Sequence, residues 1–164
     1  AGCAIGGTLA WLTASTTPIV NTFTFGNIEI DLTETENIYK MIPGNEIKKD
    51  PKVTVKKGSE ACWLFVKLDE SENFKDFMSY AIGEGWKPLE GFQGVYYQNL
   101  DASENDVIID VLLGNKVLVK EEVTKEQLQA LQGSEMPTLT VQAYAVQRDN
   151  IESADIAWKK LPTA

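Results

Sequence analysis

The chain has no histidine, two cysteines, and no charged side chain before Glu29. Without histidine, a Ser-His-Asp triad, a zinc-protease helix and every imidazole metal site are excluded. Neither of the common glycine-rich phosphate-loop patterns occurs in the sequence. We therefore expect no catalytic residues, no metal and no cofactor, and a protein that is not an enzyme.

The composition indicates an ordinary globular domain without a nucleic-acid partner. Of the 164 residues, 43% are hydrophobic and 24% are charged, which suits one domain with a single core. Acidic residues outnumber basic ones, 24 to 15, and this balance argues against binding to nucleic acid or to an anionic membrane surface. The lysine pairs at 48–49 and 56–57 are interpreted as solvated turns or strand edges.

We expect the uncharged segment that ends at Ile28 to be buried against the chain's own core, a membrane or another subunit. The chain has neither an initiator methionine nor a basic leader, so we expect the processed form of an exported precursor, secreted from the cell. Its apolar part ends near Leu12 and is shorter than the roughly 20 residues of a spanning helix. Adjacent Gly6 and Gly7 weaken any helix further. We expect no membrane span in the mature chain, and an extended strand instead.

Alternating apolar and polar residues predict many short strands. Ile28, Ile30 and Leu32 lie on one face of a strand at 27–33, after a bend at Gly26-Asn27. Residues 61–68 are almost continuously apolar, as expected for a central strand that is buried on both faces. The other predicted strands are residues 8–13, 22–25, 94–100, 107–113 and 137–147, and an edge strand at 51–58.

Three short helices are predicted between the strands. Residues 73–82 have helical apolar spacing with Gly83 as the C-cap, Thr124 and Gln127 match a capping box, and residues 153–161 form the last helix. Together, the predicted strands and helices indicate a mainly β fold, an antiparallel jelly-roll-like sandwich with a few connecting helices and an extended N-terminal strand. We expect residues 1–17 to be that strand with its linker, and residues 18–164 to be one sandwich domain.

The two cysteines leave alternatives open. Cys62 in the core strand can be a small buried hydrophobic residue, which leaves two free thiols. In an exported protein Cys3 and Cys62 can instead form a disulfide, either within a chain or between subunits. A lipid anchor on Cys3 is disfavoured, because lipoprotein processing leaves the modified cysteine as the first residue.

Two further groups of residues are candidate binding sites. The oxygen-rich segment 101–106 could bind calcium, although it lacks the glycine and terminal glutamate of an EF-hand loop. Trp86, Tyr96 and Tyr97 could form an aromatic surface for carbohydrate, or they could be packing residues.

Several blocks of the sequence resemble a known family. Residues 6–13, 21–34 and 43–51, followed by residues 58–67, are similar to the N-terminal blocks of the TasA/camelysin proteins of Gram-positive bacteria, which carry a SipW-type signal peptide. The resemblance implies a jelly-roll subunit of an extracellular biofilm fibre, in which each subunit lends an N-terminal strand to the next copy. Camelysin is classed as a metalloprotease, and the absence of histidine argues against that activity here. The first block usually lies near the end of the signal peptide, so residues 1–5 would lengthen the donor strand.

The primary hypothesis is a structural filament subunit whose partners are copies of itself. A donor strand supplies main-chain hydrogen bonds and apolar side chains to an incomplete sheet, and a head-to-tail contact propagates. Residues 14–18 would be the crossover between subunits. The expected donor-strand anchors are Ile5, Leu9, Trp11 and Leu12, and the expected acceptor core strand contains Trp63, Leu64, Phe65 and Val66. The alternatives are a monomeric secreted sandwich whose tail pairs within its own sheet, a carbohydrate or surface-binding module, and a camelysin-like protease.

Overall fold

The structure is a computed structural model that describes residues 12–16, 22–35, 37–131 and 135–161, with the backbone alone at 12–16, 23 and 37–39. The strands in this part of the chain are β1 (Leu12–Thr16), β2 (Thr22–Phe25), β3 (Ile30–Thr33), β4 (Asn37–Met41), β5 (Glu46–Lys48), β6 (Lys52–Val55), β7 (Cys62–Glu70), β8 (Met78–Ser79), β9 (Lys87–Pro88), β10 (Val95–Leu100), β11 (Val107–Asp110), β12 (Lys116–Val119) and β13 (Leu139–Gln147). The helices are α1 (Phe74–Phe77), α2 (Lys125–Gln129) and α3 (Ala154–Lys159).

The strands form one large sheet and three small ones. The large sheet has the order β2-β13-β7-β10-β9, in which β2 runs parallel to β13 and the other neighbours are antiparallel. The small sheets are β11-β6-β3, β5-β12-β8 and the pair β1-β4, all antiparallel. The prediction of a mainly β fold with antiparallel sheets and few short helices is confirmed.

Strand β7 is the centre of the large sheet. It pairs with β13 from Cys62 to Glu70 and with β10 from Cys62 to Lys67. Its side chains alternate between two cores, with Leu64 in one and Phe65 in the other, and both side chains are completely buried. The predicted central strand with two buried faces is therefore confirmed.

The first core lies between the large sheet and the small ones. Two of the small sheets are continuous along the chain, because β5 leads directly into β6. On either side of this connection, backbone hydrogen bonds from Lys49 N–H to the Asn115 carbonyl (2.9 Å) and from Val111 N–H to the Pro51 carbonyl (3.0 Å) extend the pairing of the two sheets. The core side chains contributed by β3, β6, β7, β12 and β13 are Ile30, Leu32, Val53, Val55, Cys62, Leu64, Val66, Leu68, Val117, Val119, Leu139, Val141, Ala143 and Ala145. The predicted common face of Ile28, Ile30 and Leu32 is confirmed, and so is the strand predicted at 137–147.

The second core lies on the opposite face of the large sheet, under helix α3. The Trp158 ring packs 5.1 Å from the Phe65 ring and 4.9 Å from the Tyr144 ring, measured between centroids. The indole N–H of Trp63 donates to the Ile151 carbonyl (3.1 Å), which holds the segment before α3 on the sheet. Because α3 covers this face, Tyr144 and Val146 are buried although they point away from the first core.

Several local sequence signals are confirmed. Thr124 and Gln127 form a complete capping box at the start of α2, and α3 lies within the predicted residues 153–161. Pro43-Gly44 forms the turn between β4 and β5, and Gly26 has the positive φ expected of a bend. These features depend on short-range geometry, so the local sequence suffices to predict them.

The helix predicted at residues 73–82 is wrong beyond Phe77. Helix α1 ends there, and Met78 and Ser79 form β8 against β12. Gly83 is not a C-cap, because its N–H bonds to the Val111 carbonyl and a Cβ at this position would lie 2.6 Å from the Asp110 carbonyl oxygen. Pairing with β12 outweighs the helical spacing of the apolar residues, since helix propensity is a weak preference that tertiary contacts override.

The edge strand predicted at residues 51–58 is also wrong. Strand β6 lies between β3 and β11, so its backbone pairs on both sides. The lysines interpreted as edge protection form ion pairs with neighbouring strands: Lys52 with Asp110, and Lys56 with Asp31 at 3.1 Å. The strand predicted at 107–113 is shorter than expected, because β11 ends at Asp110 before a 3-10 turn.

Two glycines in the loop between β9 and β10 provide a matched test of backbone packing. Both have positive φ, but a Cβ on Gly94 would lie 2.7 Å from the Leu68 carbonyl oxygen, whereas one on Gly91 would meet nothing within 4 Å. We expect Gly91→Ala to lower the free energy of unfolding by about 1–2 kcal/mol from backbone strain alone. Gly94→Ala should cost about 1–3 kcal/mol more, because the chain must shift at the edge of β7. Urea denaturation measures both values, and an equal loss of unfolding free energy in the two variants would contradict this prediction.

Candidate assembly interface

Most of the expected donor strand lies outside the described residues. This applies to Cys3, Ile5, Leu9 and Trp11, and their expected roles stay predictions. Leu12 is the first described residue, and its backbone begins β1.

Strand β1 pairs with β4 of the same chain. Leu12 lies opposite Met41, and Thr16 lies opposite Asn37. Residues 14–16, expected to be part of a crossover linker, are therefore strand in this structure. The run Leu-Thr-Ala-Ser-Thr contains β-branched threonines that suit a strand, and β4 supplies its hydrogen-bonding partner.

The register of β1 shows where the chain enters the layer of small sheets. Met41, the partner of Leu12, comes two residues before the turn at Pro43-Gly44. The N–H of Gly44 donates to the Val119 carbonyl (2.9 Å), which ties this turn to the end of β12. Leu12 thus lies at one edge of the layer, beside the β4–β5 turn.

The expected acceptor residues have no open backbone edge. Trp63, Leu64, Phe65 and Val66 pair with β13 on one side and with β10 on the other. The expectation that this strand itself accepts a donor does not agree with that pairing, because both rows of hydrogen-bonding groups are used within the chain. An incoming strand has to pair at an outer edge of a sheet.

The outer edges of the described sheets differ in chemistry. Strand β2 presents exposed Thr22 and Thr24 together with Phe25, which is 44% exposed. Strand β9 is two residues long, and β3 has the exposed acidic residue Asp31. Strand β11 has Ile108, which at 64% is the most exposed large hydrophobic residue of the described chain.

The sequence pattern of β11 did not reveal this exposure. A run such as Val107-Ile108-Ile109 predicts burial on both faces, but none of the described strands lies beside Ile108 on the side away from β6, and its side chain is exposed. An apolar residue at an open sheet edge is uncommon, because edge strands usually have charges or proline against unwanted pairing.

Four polar residues, Glu34, Thr35, Lys49 and Asp50, connect the β3–β4 junction to the β5–β6 junction. The Lys49 ammonium is buried against Glu34, with a distance of 2.9 Å to the Glu34 carboxylate, so the prediction of a solvated lysine is wrong at this residue. The Asp50 carboxylate accepts hydrogen bonds from the Thr35 backbone N–H (2.9 Å) and hydroxyl (2.8 Å). Burial by itself raises the pKa of Asp50, but the hydrogen bonds from Thr35 and the charge of Lys48 hold that pKa below its ordinary value.

Asp50 predicts a pH dependence of stability. Because the folded protein lowers the pKa of this carboxyl, its stabilising contribution is complete above the unfolded pKa of about 3.9 and is lost as the pH falls through the folded value. Asp50→Asn should cost about 1–3 kcal/mol at pH 7, since the charged acceptor of Thr35 is removed. The loss of unfolding free energy between pH 7 and pH 3 should also be smaller in this variant. An identical pH dependence of the urea midpoints in the two proteins would contradict the assignment.

The three aromatic candidates do not form an exposed platform. Trp86 is buried, and its indole N–H donates to the Asp110 carbonyl (2.9 Å). Tyr96 packs against the first core and Tyr97 against the second, on opposite faces of β10. The packing interpretation is therefore confirmed for these three residues, and the alternative, an exposed aromatic surface formed by them, is not.

Two carboxylates of the oxygen-rich segment 101–106 bond to other parts of the protein. Asp101 pairs with Arg148 at 2.7 Å, and Asp106 accepts the backbone N–H of Lys57 at 2.8 Å. No group of three or more metal-ligating histidine, cysteine or carboxylate side chains comes together among the described residues.

Cys62 is completely buried in the first core and forms no disulfide with any described residue. Burial raises the pKa of this thiol to about 11, so very little thiolate is present at neutral pH. Its expected partner Cys3 lies outside the described residues, and the disulfide between them stays a prediction.

The burial of Cys62 predicts slow chemical modification. In a Cys3→Ser variant, a thiol reagent at pH 7 should label Cys62 at least about 100-fold more slowly in the native protein than in denaturant, because only the thiolate reacts. The labelling rate of the same Cys3→Ser variant in denaturant is the reference for an unburied thiol. Native labelling at the rate of the denatured chain would contradict the burial.

No helix in the described ranges is both long enough and apolar enough to cross a membrane. Comparison of the chain with protein-family models, with curated proteins and with solved structures finds no match.

Proposed function

We propose that the protein is a structural subunit of an extracellular filament, secreted from the cell, which polymerises head-to-tail when its N-terminal segment completes a sheet of the next copy. The resemblance of residues 6–13, 21–34 and 43–51 to the TasA/camelysin proteins supports this function and membership of that family. Two layers of mainly antiparallel strands, which face each other across the first core, support the jelly-roll arrangement that the resemblance implies.

The observation that carries the proposal is the position of β1. This strand lies at an outer edge, bonded to β4 in a two-stranded sheet, and Leu12 stands beside the β4–β5 turn at one end of the layer. Eleven residues precede Leu12, and none of them is charged. A segment of this composition that starts from an edge and an end of the fold is suited to contact a neighbouring molecule.

The length and composition of this segment suit strand addition. Eleven extended residues span at most about 36 Å, which exceeds the length of any strand in the described sheets. Ile5, Leu9 and Trp11 share one parity, so an extended segment would present them on the same face. Burial of each large side chain contributes about 1.5–3 kcal/mol, and main-chain hydrogen bonds to an acceptor strand add to this against the conformational entropy that ordering the segment costs.

A monomeric secreted sandwich is the second candidate. The pairing of β1 with β4 within one chain favours it, because this pairing is what a self-completed sheet requires. The two candidates differ in whether residues 1–11 are needed for association between copies.

Truncation separates the two candidates when it spares β1. Deletion of residues 1–11 should abolish filaments in electron microscopy while leaving the thermal midpoint of the monomer within a few degrees, because Leu12–Thr16 still pairs with β4. Filaments that persist after the deletion would refute the donor-strand mechanism. A full-length chain that stays monomeric at every concentration would establish the second candidate.

A matched pair of substitutions tests the anchors in the full-length chain. Leu9 and Trp11 changed together to serine should weaken assembly by at least about tenfold in critical concentration, since the loss of two buried side chains exceeds 1.4 kcal/mol. Thr8 and Ala10 changed together to serine serve as the control, because they lie at positions of the opposite parity.

A further inference from the structure

We propose that the outer face of the small sheets is a contact surface for the same face of a second copy of this chain. The face consists of the side chains of β3, β5, β6, β11 and β12 that point away from the first core. It does not include the N-terminal segment, so this contact is separate from the head-to-tail contact and does not depend on the proposed function. Three properties support it: exposure, balanced charge and apolar side chains.

The alternation of burial along each strand shows which side chains point outward. Val117 and Ile109 contact the first core, so the residues next to them on β12 and β11 point to the opposite side of the layer. This side is open in the part of the chain that the structure describes. Helix α3 packs on the far face of the large sheet, whereas Ile108 is 64% exposed and the side chains of Glu46 and Lys48 are both 59% exposed.

The charges on this face balance, although the chain as a whole is strongly acidic. The outward side chains of the five strands include three carboxylates and three ammonium groups: Asp31, Glu46, Asp110, Lys48, Lys52 and Lys116. Opposite charges lie side by side, since Lys52 pairs with Asp110 and Lys116 pairs with Glu46, each across two neighbouring strands. Two copies with a net charge of −9 each repel one another, and a balanced face is where they can approach with the least repulsion.

Exposed apolar side chains are concentrated along the same face. Of the five exposed large hydrophobic residues in the described chain, three belong to β11, β12 and the 3-10 turn between them: Ile108, Leu113 and Leu118. Ile108 and Leu113 line one hollow of about 390 Å³ together with buried Leu112. Exposed apolar side chains that lie together, unlike single ones, mark sites of interaction with another molecule.

The mixture of charges indicates that the partner is a second copy. An acidic polymer needs a surface of clustered cations, and a basic partner needs clustered carboxylates. Here each outward lysine of the five strands forms an ion pair with a carboxylate, so the face suits a surface that is itself mixed in sign. The same face of a second copy has this composition. A two-fold rotation brings identical patches together, so the apolar side chains of one copy meet those of the other.

The area of the face determines how strong this contact can be. Strands β5 and β6 together run from Glu46 to Val55, and the layer is four strands wide from β3 to β8. At about 3.3 Å per residue and 4.8 Å per strand, the face covers roughly 600 Å² on each copy. A total of roughly 1,200 Å² is at the lower limit of specific interfaces. We therefore expect a weak dimer, and a firm contact where many copies are aligned, as in two filaments side by side.

A matched pair of isoleucine substitutions tests the surface in the full-length protein. Ile108→Ser should raise the dissociation constant of the dimer at least about tenfold in sedimentation velocity, because both copies lose an apolar side chain from the contact. Ile156→Ser, at an exposed isoleucine of α3 on the other side of the molecule, should leave the constant unchanged. Equal thermal midpoints would show that both variants are folded. An Ile108→Ser protein that associates as the wild type does would overturn the proposal.

Ionic strength provides a second measurement on the wild-type protein. Salt raised from about 20 mM to about 500 mM should strengthen the contact, because screening weakens the repulsion between two acidic copies more than it weakens an apolar contact. Association that declines with salt would instead indicate patches of opposite net charge and would overturn the balanced face as the contact.

Electron microscopy separates this contact from the proposed function. Whether filaments form tests the proposed function, and whether filaments lie side by side in the wild type but singly in Ile108→Ser tests the outer face. If no filaments form, the dimer in sedimentation velocity still tests the face. Wild-type protein that shows neither dimers nor paired filaments at millimolar concentration would overturn the proposal.

Discussion

Strand β7 is paired on both edges and buried on both faces, and the rest of the structure depends on this constraint. Its backbone pairs with β13 and β10, and its side chains enter two separate cores. One core needs the layer of small sheets as a cover, and the other needs α3. A strand of this kind cannot lie at an edge, so the positions of its neighbours determine which strands do. Which strands lie at the edges of the large sheet therefore follows from the burial of β7.

In the small sheets the chain bends between β5 and β6. Lys49 and Asp50 lie between β5 and β6, and their contacts with Glu34 and Thr35 hold that bend against the junction of β3 and β4. A buried ammonium next to a carboxylate is tolerated because the pair is hydrogen-bonded.

The parts of the fold that the sequence predicts are those controlled by near neighbours in the chain. The alternation of Ile28, Ile30 and Leu32, the capping box at Thr124 and the apolar run of β7 all agree with the structure. The failures share one cause: residues 73–82 have helical spacing, and residues 51–58 have lysines typical of an edge. In both segments, pairing with a strand distant in sequence decided the outcome. The exposure of Ile108 has the same origin, because an absent neighbour leaves no trace in the local sequence.

By itself, the sequence determined the fold class, the central strand, the absence of histidine chemistry and an uncharged N-terminal segment that needs a cover. Only the tertiary structure decided that β6 is an inner strand, that Trp86 is buried, that both edges of β7 are occupied and that Ile108 is exposed. The physical reason is the range of the interactions. Side-chain period, capping and turn geometry act over a few residues, whereas the choice of strand partners depends on which distant segments bury the most apolar surface together.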